Sequence, residues 1–243
     1  MRPLKMNSLR VSFIASLLAL AACATGPATV ESGAFSFPVI GDIPYGPEDD
    51  AVLQGEILPR VKDGPYPFVL HVGDYKSGGA PCTEEQDAAM TTLIGVISPR
   101  PVVYTPGDNE WTDCDRFADA ATGKSMSELQ RLDRLRALFF AAPVAARSEL
   151  SLARQGSLPE NQTWRYRGVR FVTIHVVGTN NGRSFVTGDP LDVAAAAADA
   201  RDKANAEWLN GAVRAAKLDN ARAIVIAMQA DPLEVDPAAF GKL

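Results

Sequence analysis

The sequence predicts an α/β fold with mainly parallel central strands, and three observations predict it. Short apolar segments typical of buried strands recur along the chain, segments with the apolar spacing of helices separate them, and the first three strands each end in a Gly-Asp dipeptide. Parallel strands connected by helices bring their carboxyl ends to one edge of the sheet, where ligands of such proteins bind. We therefore expect the three dipeptides on the same rim.

The first part of the domain contains three strand-to-helix units. Apolar runs predict strands at 35–40, 68–72 and 102–105, and helical spacing predicts helices at 48–62, 83–97 and 127–140. Ser127 has the residue type of a helix N-cap. The three strands end at Gly41-Asp42, Gly73-Asp74 and Gly107-Asp108.

The second part adds a hairpin, a long helix and a last strand. Residues 163–167 and 169–177 have the composition of two strands joined at Gly168, residues 189–218 are alanine-rich with helical spacing, and residues 223–228 form an apolar strand. Gln229 follows this strand directly, so we expect its side chain to face the same space as the Gly-Asp dipeptides.

The beginning of the chain predicts export. Arg2, Lys5 and Arg10 precede an apolar run at 11–20, and Leu-Ala-Ala-Cys then ends at Cys23. The run is too short to cross a bilayer, which requires roughly 20 apolar residues. We therefore divide the chain into a signal peptide at 1–22, a tether of small residues at 23–33 and a domain at 34–243.

Leu-Ala-Ala-Cys resembles the bacterial lipobox, in which the cysteine is acylated. The resemblance implies lipidation of Cys23 and a domain anchored to the membrane in the cell envelope, on its periplasmic or extracellular side. An ordinary secretory signal, or an uncleaved anchor in which Cys23 is incidental, is the alternative. Both export the domain.

Length and charge limit the function classes. About 210 residues follow the tether, since 243 minus 33 is 210, which is enough for one domain with a substantial core or for part of a larger one. The net charge of -5 gives no basic footprint of the kind that binding to a phosphate backbone requires, so we expect no nucleic-acid partner.

Two further cysteines suggest a disulfide. Cys82 and Cys114 each lie a few residues beyond a Gly-Asp turn, and an exported domain meets an oxidising compartment. A bridge between them would connect two loops on the same rim. Two free thiols are the alternative.

The carboxylates of Asp42, Asp74 and Asp108 are candidate metal ligands. Three carboxylates at one rim repel each other unless a cation joins them, and hard divalent cations prefer oxygen ligands. Two metals bridged by a carboxylate are a recurring device for hydrolysing phosphate esters. The alternative is that the three aspartates are turn or helix-cap residues.

These motifs resemble those of the calcineurin-like metallophosphoesterases. The resemblance covers nearly the whole chain after the tether, and it implies a layered α/β sandwich of that family. It rests on Gly-Asp-Ile-Pro from Gly41, Val-Gly-Asp from Val72, Pro-Gly-Asp-Asn-Glu from Pro106, and the apolar strand that ends at Gln229.

The resemblance implies a role for each motif residue. Asp42 would bind one metal, Asp74 would bridge two, and Asp108 would take the place of a ligand asparagine. Asn109 would occupy the place of the catalytic histidine, and Glu110 that of the following acid. Gln229 would replace a metal-binding histidine. The implied cofactor is a pair of divalent ions, with Mg, Mn, Ca, Fe and Zn left open.

The chain also departs from the family pattern. Pro44 stands where the first motif has a histidine, with Tyr45 as the nearest substitute, and the final Gly-His-x-His motif is missing. The resemblance therefore implies an incomplete site or a fold that is incomplete at its C-terminus. The two histidines of the chain, His71 and His175, are interpreted as packed core residues rather than ligands.

The expected function is a metal-dependent phosphoesterase of the cell envelope that hydrolyses a phosphorylated small molecule or another phosphate ester. Asn109 and Glu110 are the catalytic candidates. With Asn109 in the place of the histidine, protonation of the leaving group would fall to Glu110, to another residue or to solvent. The alternative is an inactive, lipid-anchored binding or scaffold protein that retains the phosphoesterase fold.

Overall fold

The computed structural model describes residues 33–141 and 150–231. The predicted signal peptide, the lipidation site Cys23 and nearly all of the predicted tether lie outside these residues. The described residues belong to one compact unit. Among the described residues, no helix is long and apolar enough to cross a membrane.

The first sheet is parallel and brings the Gly-Asp dipeptides together. It contains β1 (Val39–Ile40), β2 (Val69–His71) and β3 (Val102–Tyr104) in the order β1-β2-β3. The last residue of β2 is in register with the last residues of both neighbours. The chain therefore leaves all three strands at the same edge.

Helices cover one face of this sheet. They are α1 (Pro47–Val52), a π-helical stretch (Leu53–Ile57), α2 (Leu58–Asp63), α3 (Glu84–Ile97) and α4 (Glu128–Phe139). Thr83 and Gln86 form a reciprocal capping box at the start of α3, and the Ser127 hydroxyl caps α4 as expected. Side chains of β1–β3 and of these helices form one apolar cluster, with Leu53, Val69, Met90 and Leu93 among its buried members.

The second sheet is mixed. It contains β4 (Ala153–Arg154), β5 (Gln162–Tyr166), β6 (Val169–Thr173) and β7 (Ala223–Ala227) in that order. β5 and β6 form the predicted antiparallel hairpin, and β7 returns parallel to β6. Between β6 and β7 lie the short segment α5 (Gly178–Gly182) and the long helix α6 (Leu191–Leu218).

The two sheets pack against each other through large apolar side chains. Phe68 and Leu70 of the first sheet region join Trp164 and Phe171 of the second in one buried cluster. On the outer face of the second sheet, Val172 packs against α6 in another cluster. The layers are therefore helices, parallel sheet, mixed sheet and helix, which confirms the predicted mixed α/β class.

Several details differ from the prediction. The strand predicted at 35–40 pairs only over Val39–Ile40, because the preceding Phe35 and Phe37 fold over the aromatic cluster rather than along a neighbouring strand. The short strand Ala153–Arg154 and the 3-10 helix Thr112–Arg116 were not predicted. Both are too short to show a period of apolar residues.

The predicted disulfide between Cys82 and Cys114 is confirmed. Their Cα atoms are 5.5 Å apart, within the ordinary range for a bridge. Cys82 precedes α3 and Cys114 lies in the 3-10 helix, so the bridge connects the loops that follow β2 and β3.

Candidate functional site

The aspartates that end β1 and β2 have an unusual backbone conformation. Asp42 and Asp74 have φ values of 58° and 55°, in the left-handed region that non-glycine residues seldom adopt. Gly73, at φ 92°, has no room for a side chain, since a Cβ there would lie 2.0 Å from the amide nitrogen of Gly107. The tight contact of the two loops places Asp74 against the loop that follows β3.

Asp74 is the centre of the hydrogen-bonded site. It is 2% exposed. Its Oδ1 accepts from the backbone N–H of Asn109 at 3.0 Å, and its Oδ2 accepts from Nε2 of Gln229 at 2.8 Å. The site therefore links the ends of β2, β3 and β7.

Gln229 connects two carboxylates. Its Nε2 donates to Oδ2 of Asp74 and also to Oδ1 of Asp108, at 3.1 Å. The backbone N–H of Gly178 donates to Oε1 of Gln229 at 2.8 Å, and this bond determines which end of the amide faces the carboxylates. Gln229 was expected to offer an oxygen to a metal, but it directs its nitrogen at the two acids.

Asn109 joins Asp42 to the site through Tyr45. The Asn109 Nδ2 donates to the Tyr45 hydroxyl at 2.9 Å and to the Lys76 carbonyl at 3.0 Å. The Tyr45 hydroxyl donates to Oδ1 of Asp42 at 3.0 Å. The Asp42 side chain is exposed, and its hydrogen-bonded connection to the Asp74 carboxylate runs through Tyr45 and Asn109.

On the other side, Asp108 is linked to Asp113. The Thr179 hydroxyl lies 3.3 Å from Oδ2 of Asp108 and 3.2 Å from Oδ1 of Asp113. A hydroxyl has only one proton, so it satisfies only one of these acceptors at a time. Arg116, at 2.7 Å, is an ion-pair partner of Asp113.

Thr179 reaches the two acids because the backbone of its segment has a left-handed conformation. Thr179, Asn180 and Asn181 have left-handed φ values of 54°, 51° and 55°. Gly178 fits directly against Asp108, since a Cβ there would lie 2.2 Å from its Oδ2. Consecutive left-handed residues are costly and are concentrated at functional sites.

Glu110 lies behind the site and is fully buried. Its carboxylate accepts from the backbone N–H groups of Asp74 at 2.9 Å and Gly107 at 2.8 Å, and from the Tyr104 hydroxyl at 2.9 Å. These bonds hold the two Gly-Asp turns together. A catalytic role for Glu110 stays a prediction, and in the structure its carboxylate is fully buried and hydrogen-bonded to the two turns.

The electrostatics of the site indicate an excess of negative charge. Burial, together with the carboxylates of Glu110 and Asp108, raises the pKa of Asp74 well above its usual range. Burial and the nearby Asp108 also raise the pKa of Asp113. The nearest lysine, Lys76, donates to the carbonyls of Ser77 and Ala80, and burial lowers its pKa to about 8.

Both histidines occupy the core. Burial lowers the pKa of His71 to about 4, and its Nδ1 accepts from the N–H of Gly73 at 3.2 Å. His175 is also fully buried, with Nδ1 2.9 Å from Oε1 of Glu160. His71 therefore supports the turn before Asp74.

The carboxylate oxygens of the site suit a hard cation that takes few of its ligands from the protein. Within the described residues, no group of three or more His, Cys, Asp and Glu side chains is arranged to hold a metal ion. Asp74 and Asp108 converge on one point, however, and Gly107 leaves Asp74 the room to do so, because a Cβ at Gly107 would lie 2.2 Å from Oδ1 of Asp74. These two carboxylates supply oxygen ligands of the kind that hard divalent cations prefer. The expected pair of ions stays a prediction.

Three contributors to the site were missed in the sequence. Asp113 lies in the unpredicted 3-10 helix, Thr179 lies in the short segment α5 after β6, and Lys76 follows Asp74 by two residues. Only Lys76 carried a local signal, its position beside a strand-end aspartate. The other two arrive through contacts between distant parts of the chain.

No family model matches the chain, and no curated protein matches it.

Proposed function

We propose that this chain is a metal-dependent phosphoesterase of the bacterial cell envelope, with the layered sandwich of the calcineurin-like metallophosphoesterases. One observation carries the proposal: the carboxylates of Asp74 and Asp108 share a single amide donor, Gln229, at the carboxyl edge of a parallel sheet. Ligand sites of α/β proteins gather at this edge.

The shared donor marks a place for positive charge. A neutral amide between two carboxylates offsets little of their repulsion, whereas a divalent cation in contact with both would offset much more. The nearby oxygens favour magnesium, manganese or calcium, because no histidine or thiolate among the described residues joins them. When bound, such an ion would lower the pKa of a water and stabilise charge on phosphoryl oxygens.

Gln229 would have to yield its position to the ion. Its amide donates to both carboxylates and accepts from the N–H of Gly178, so turning the side chain would free both acids at the cost of these three hydrogen bonds. We expect Asp74 and Asp108 to hold the cation. In the metal-free protein, the Gln229 amide donates to both carboxylates in place of the ion.

Tyr45 is the proposed hydrogen-bond donor to substrate. Its side chain is partly exposed, and its hydroxyl lies between Asp42 and Asn109. Burial, followed by the charges of Asp74 and Asp42, raises the pKa of the phenol, so it keeps its proton at neutral pH. Tyr45 therefore suits the role of hydrogen-bond donor to the substrate. Asn109 has no titratable group, and the buried Glu110 has no access to the substrate.

Hydrolysis with manganese tests the proposal. The full-length protein should hydrolyse bis(p-nitrophenyl) phosphate or p-nitrophenyl phosphate in Mn²⁺ and lose activity in chelator. Asp74→Asn should lower the rate by more than about 100-fold, since even residues that only support metal ligands contribute 10- to 100-fold. Asp63→Asn, the same change at an exposed position at the end of α2, is the control.

The alternative function, an inactive binding or scaffold protein, has a specific observation in its favour. The Gln229 amide already satisfies one oxygen of each carboxylate, so the site is hydrogen-bonded without an ion. No turnover with either ester, together with the same Mn²⁺ affinity in wild type and Asp74→Asn, would favour this alternative.

A further inference from the structure

A cavity adjoins the carboxylate site on the side of Tyr45. It has a volume of about 330 Å³ and lies between the loops after β1 and β2, the first helical segment and α3. Its apolar wall includes Ile43, Pro44, Leu53, Met90 and Leu93. The volume is at the lower end of the range of small-molecule sites and suits one or two fused rings.

Three polar groups of the wall are already engaged within the protein, and the exposed Asp50 and Gln54, which also line the cavity, are hydrogen-bonded to each other. The Tyr75 hydroxyl donates to Asp87, the Lys76 ammonium donates to two backbone carbonyls, and the Gln86 side chain completes the cap of α3. A sugar or nucleoside that entered would place several of its hydroxyl groups against the apolar wall, which is unfavourable for groups that lose their hydrogen bonds to water. An aryl or short alkyl group has no hydrogen bonds to lose, and burial of its apolar surface in the cavity would favour binding.

Tyr45 belongs to both the cavity and the carboxylate site. Its ring lines the cavity, and its hydroxyl bonds to Asp42 and Asn109. A ligand with its polar group at Tyr45 would therefore direct its apolar group into the cavity.

We propose that this cavity binds the apolar alcohol group of the substrate, so that the substrates are aryl or short alkyl phosphate esters rather than sugar phosphates or nucleotides. The substrate class rests on the proposed phosphoesterase function. The cavity itself is tested separately, by binding of the alcohol alone.

Ala89 offers a way to fill the cavity without disturbing the core. It is an exposed residue of α3 that lines the cavity, and the adjacent Ala88 is exposed on the same helix and does not line it. Ala89→Phe and Ala88→Phe carry the same cost in helix propensity. The pair therefore separates filling of the cavity from any general effect of phenylalanine on α3.

The experiment measures binding and turnover in the full-length protein. Binding of naphthol, followed by fluorescence, should weaken roughly tenfold or more in Ala89→Phe and stay at the wild-type value in Ala88→Phe, because most of the apolar burial is lost. In Mn²⁺, Ala89→Phe should have a higher KM than the wild type when naphthyl phosphate is the substrate, and an unchanged KM when glycerol phosphate is the substrate.

Equal naphthol binding in the three proteins, or none in the wild type, would overturn the cavity assignment. A wild type that hydrolyses glycerol phosphate as efficiently as naphthyl phosphate would overturn the substrate class. Naphthol binding with the expected variant pattern, but no hydrolysis of either ester, would support the cavity and contradict the phosphoesterase function.

Discussion

At the scale of single residues, the main feature of the site is that few hydrogen-bond donors face its carboxylates. Asp74 and Asp108 share Gln229, and Asp108 and Asp113 share Thr179. Each shared donor leaves negative charge only partly compensated in a region that excludes much of the water. This arrangement is unfavourable for the fold alone and favourable for a bound cation.

Tyr45 provides a prediction at this scale. Tyr45→Phe should lower the rate of ester hydrolysis about 10- to 100-fold with little change in KM, because a lost hydrogen-bond donor affects the transition state most. Stability should change by less than about 1 kcal/mol, since the hydroxyl is partly solvated and Asn109 keeps its bond to the Lys76 carbonyl.

The control is Tyr66→Phe, a tyrosine whose ring lies beside Arg100 rather than at the carboxylates. Equal rates for Tyr45→Phe and the wild type would remove Tyr45 from the mechanism.

At the scale of elements, α3 and α4 are connected by a buried ion pair under the site. Arg131 of α4 donates from Nη1 to Oδ2 of Asp87 on α3 at 2.8 Å, and its Nε donates to the backbone carbonyl of Glu110 at 2.8 Å. The same arginine therefore connects two helices and the loop that carries Asp108. Its loss should reach the site through that loop.

Asp87→Asn should destabilise the protein by about 3 kcal/mol, because Arg131 is left as a buried charge without its counter-ion. Burial alone would raise the pKa of Asp87, but the hydrogen bonds and charge of Arg131, with the Tyr75 hydroxyl, lower it overall. A carboxylate with a lowered folded-state pKa stabilises the fold above its unfolded pKa of about 3.9 and ceases to do so as the pH falls.

Urea unfolding at several pH values measures this effect. The difference between wild type and Asp87→Asn should be full at neutral pH and shrink below about pH 4. Asp133→Asn removes an exposed partner of Arg136 on α4 and should change stability by less than about 1 kcal/mol. A difference that is independent of pH would show that packing, rather than the ion pair, is responsible.

The elements were predictable where a local pattern specifies them. Apolar runs located β2, β3 and β7, and the residues that follow these strands, Asp74, Asp108 and Gln229, meet in the structure. Strand topology brings such residues to one edge of the sheet regardless of how their side chains are oriented. The first sheet could thus be predicted together with the edge at which these residues meet.

The orientation of the side chains could not be predicted in this way. Glu110 turns behind Asp74 because two backbone N–H groups and Tyr104 surround it, and Gln229 presents its nitrogen because Gly178 occupies its oxygen. These contacts join residues far apart in the sequence. No spacing rule specifies them, so the sequence located the site but not its hydrogen bonds.

At the scale of the whole molecule, the two sheets support the site from opposite sides. The first sheet supplies Asp42, Asp74 and Asp108, and the second supplies Gln229 after β7 and Thr179 after β6. The interface of the sheets is formed by Phe68, Trp164 and Phe171. The relative position of the two sheets therefore determines the distance between Gln229 and its carboxylates.

The anchoring of the molecule gives a prediction outside the described residues. Cys23→Ala should move the protein from the membrane fraction to the soluble envelope fraction, because the apolar leader is too short to span a bilayer after export. Ala24→Ser, a change at the adjacent residue that keeps the cysteine, should leave the protein in the membrane fraction. Membrane retention of Cys23→Ala would contradict the lipoprotein assignment.

The most direct test of the cation site is a crystal structure with Mn²⁺ and its anomalous difference map. We predict a manganese peak in contact with the carboxylates of both Asp74 and Asp108, with the Gln229 amide turned away from them. A map without a peak at this position, in crystals where the Gln229 nitrogen still donates to both acids, would contradict the metal-dependent function.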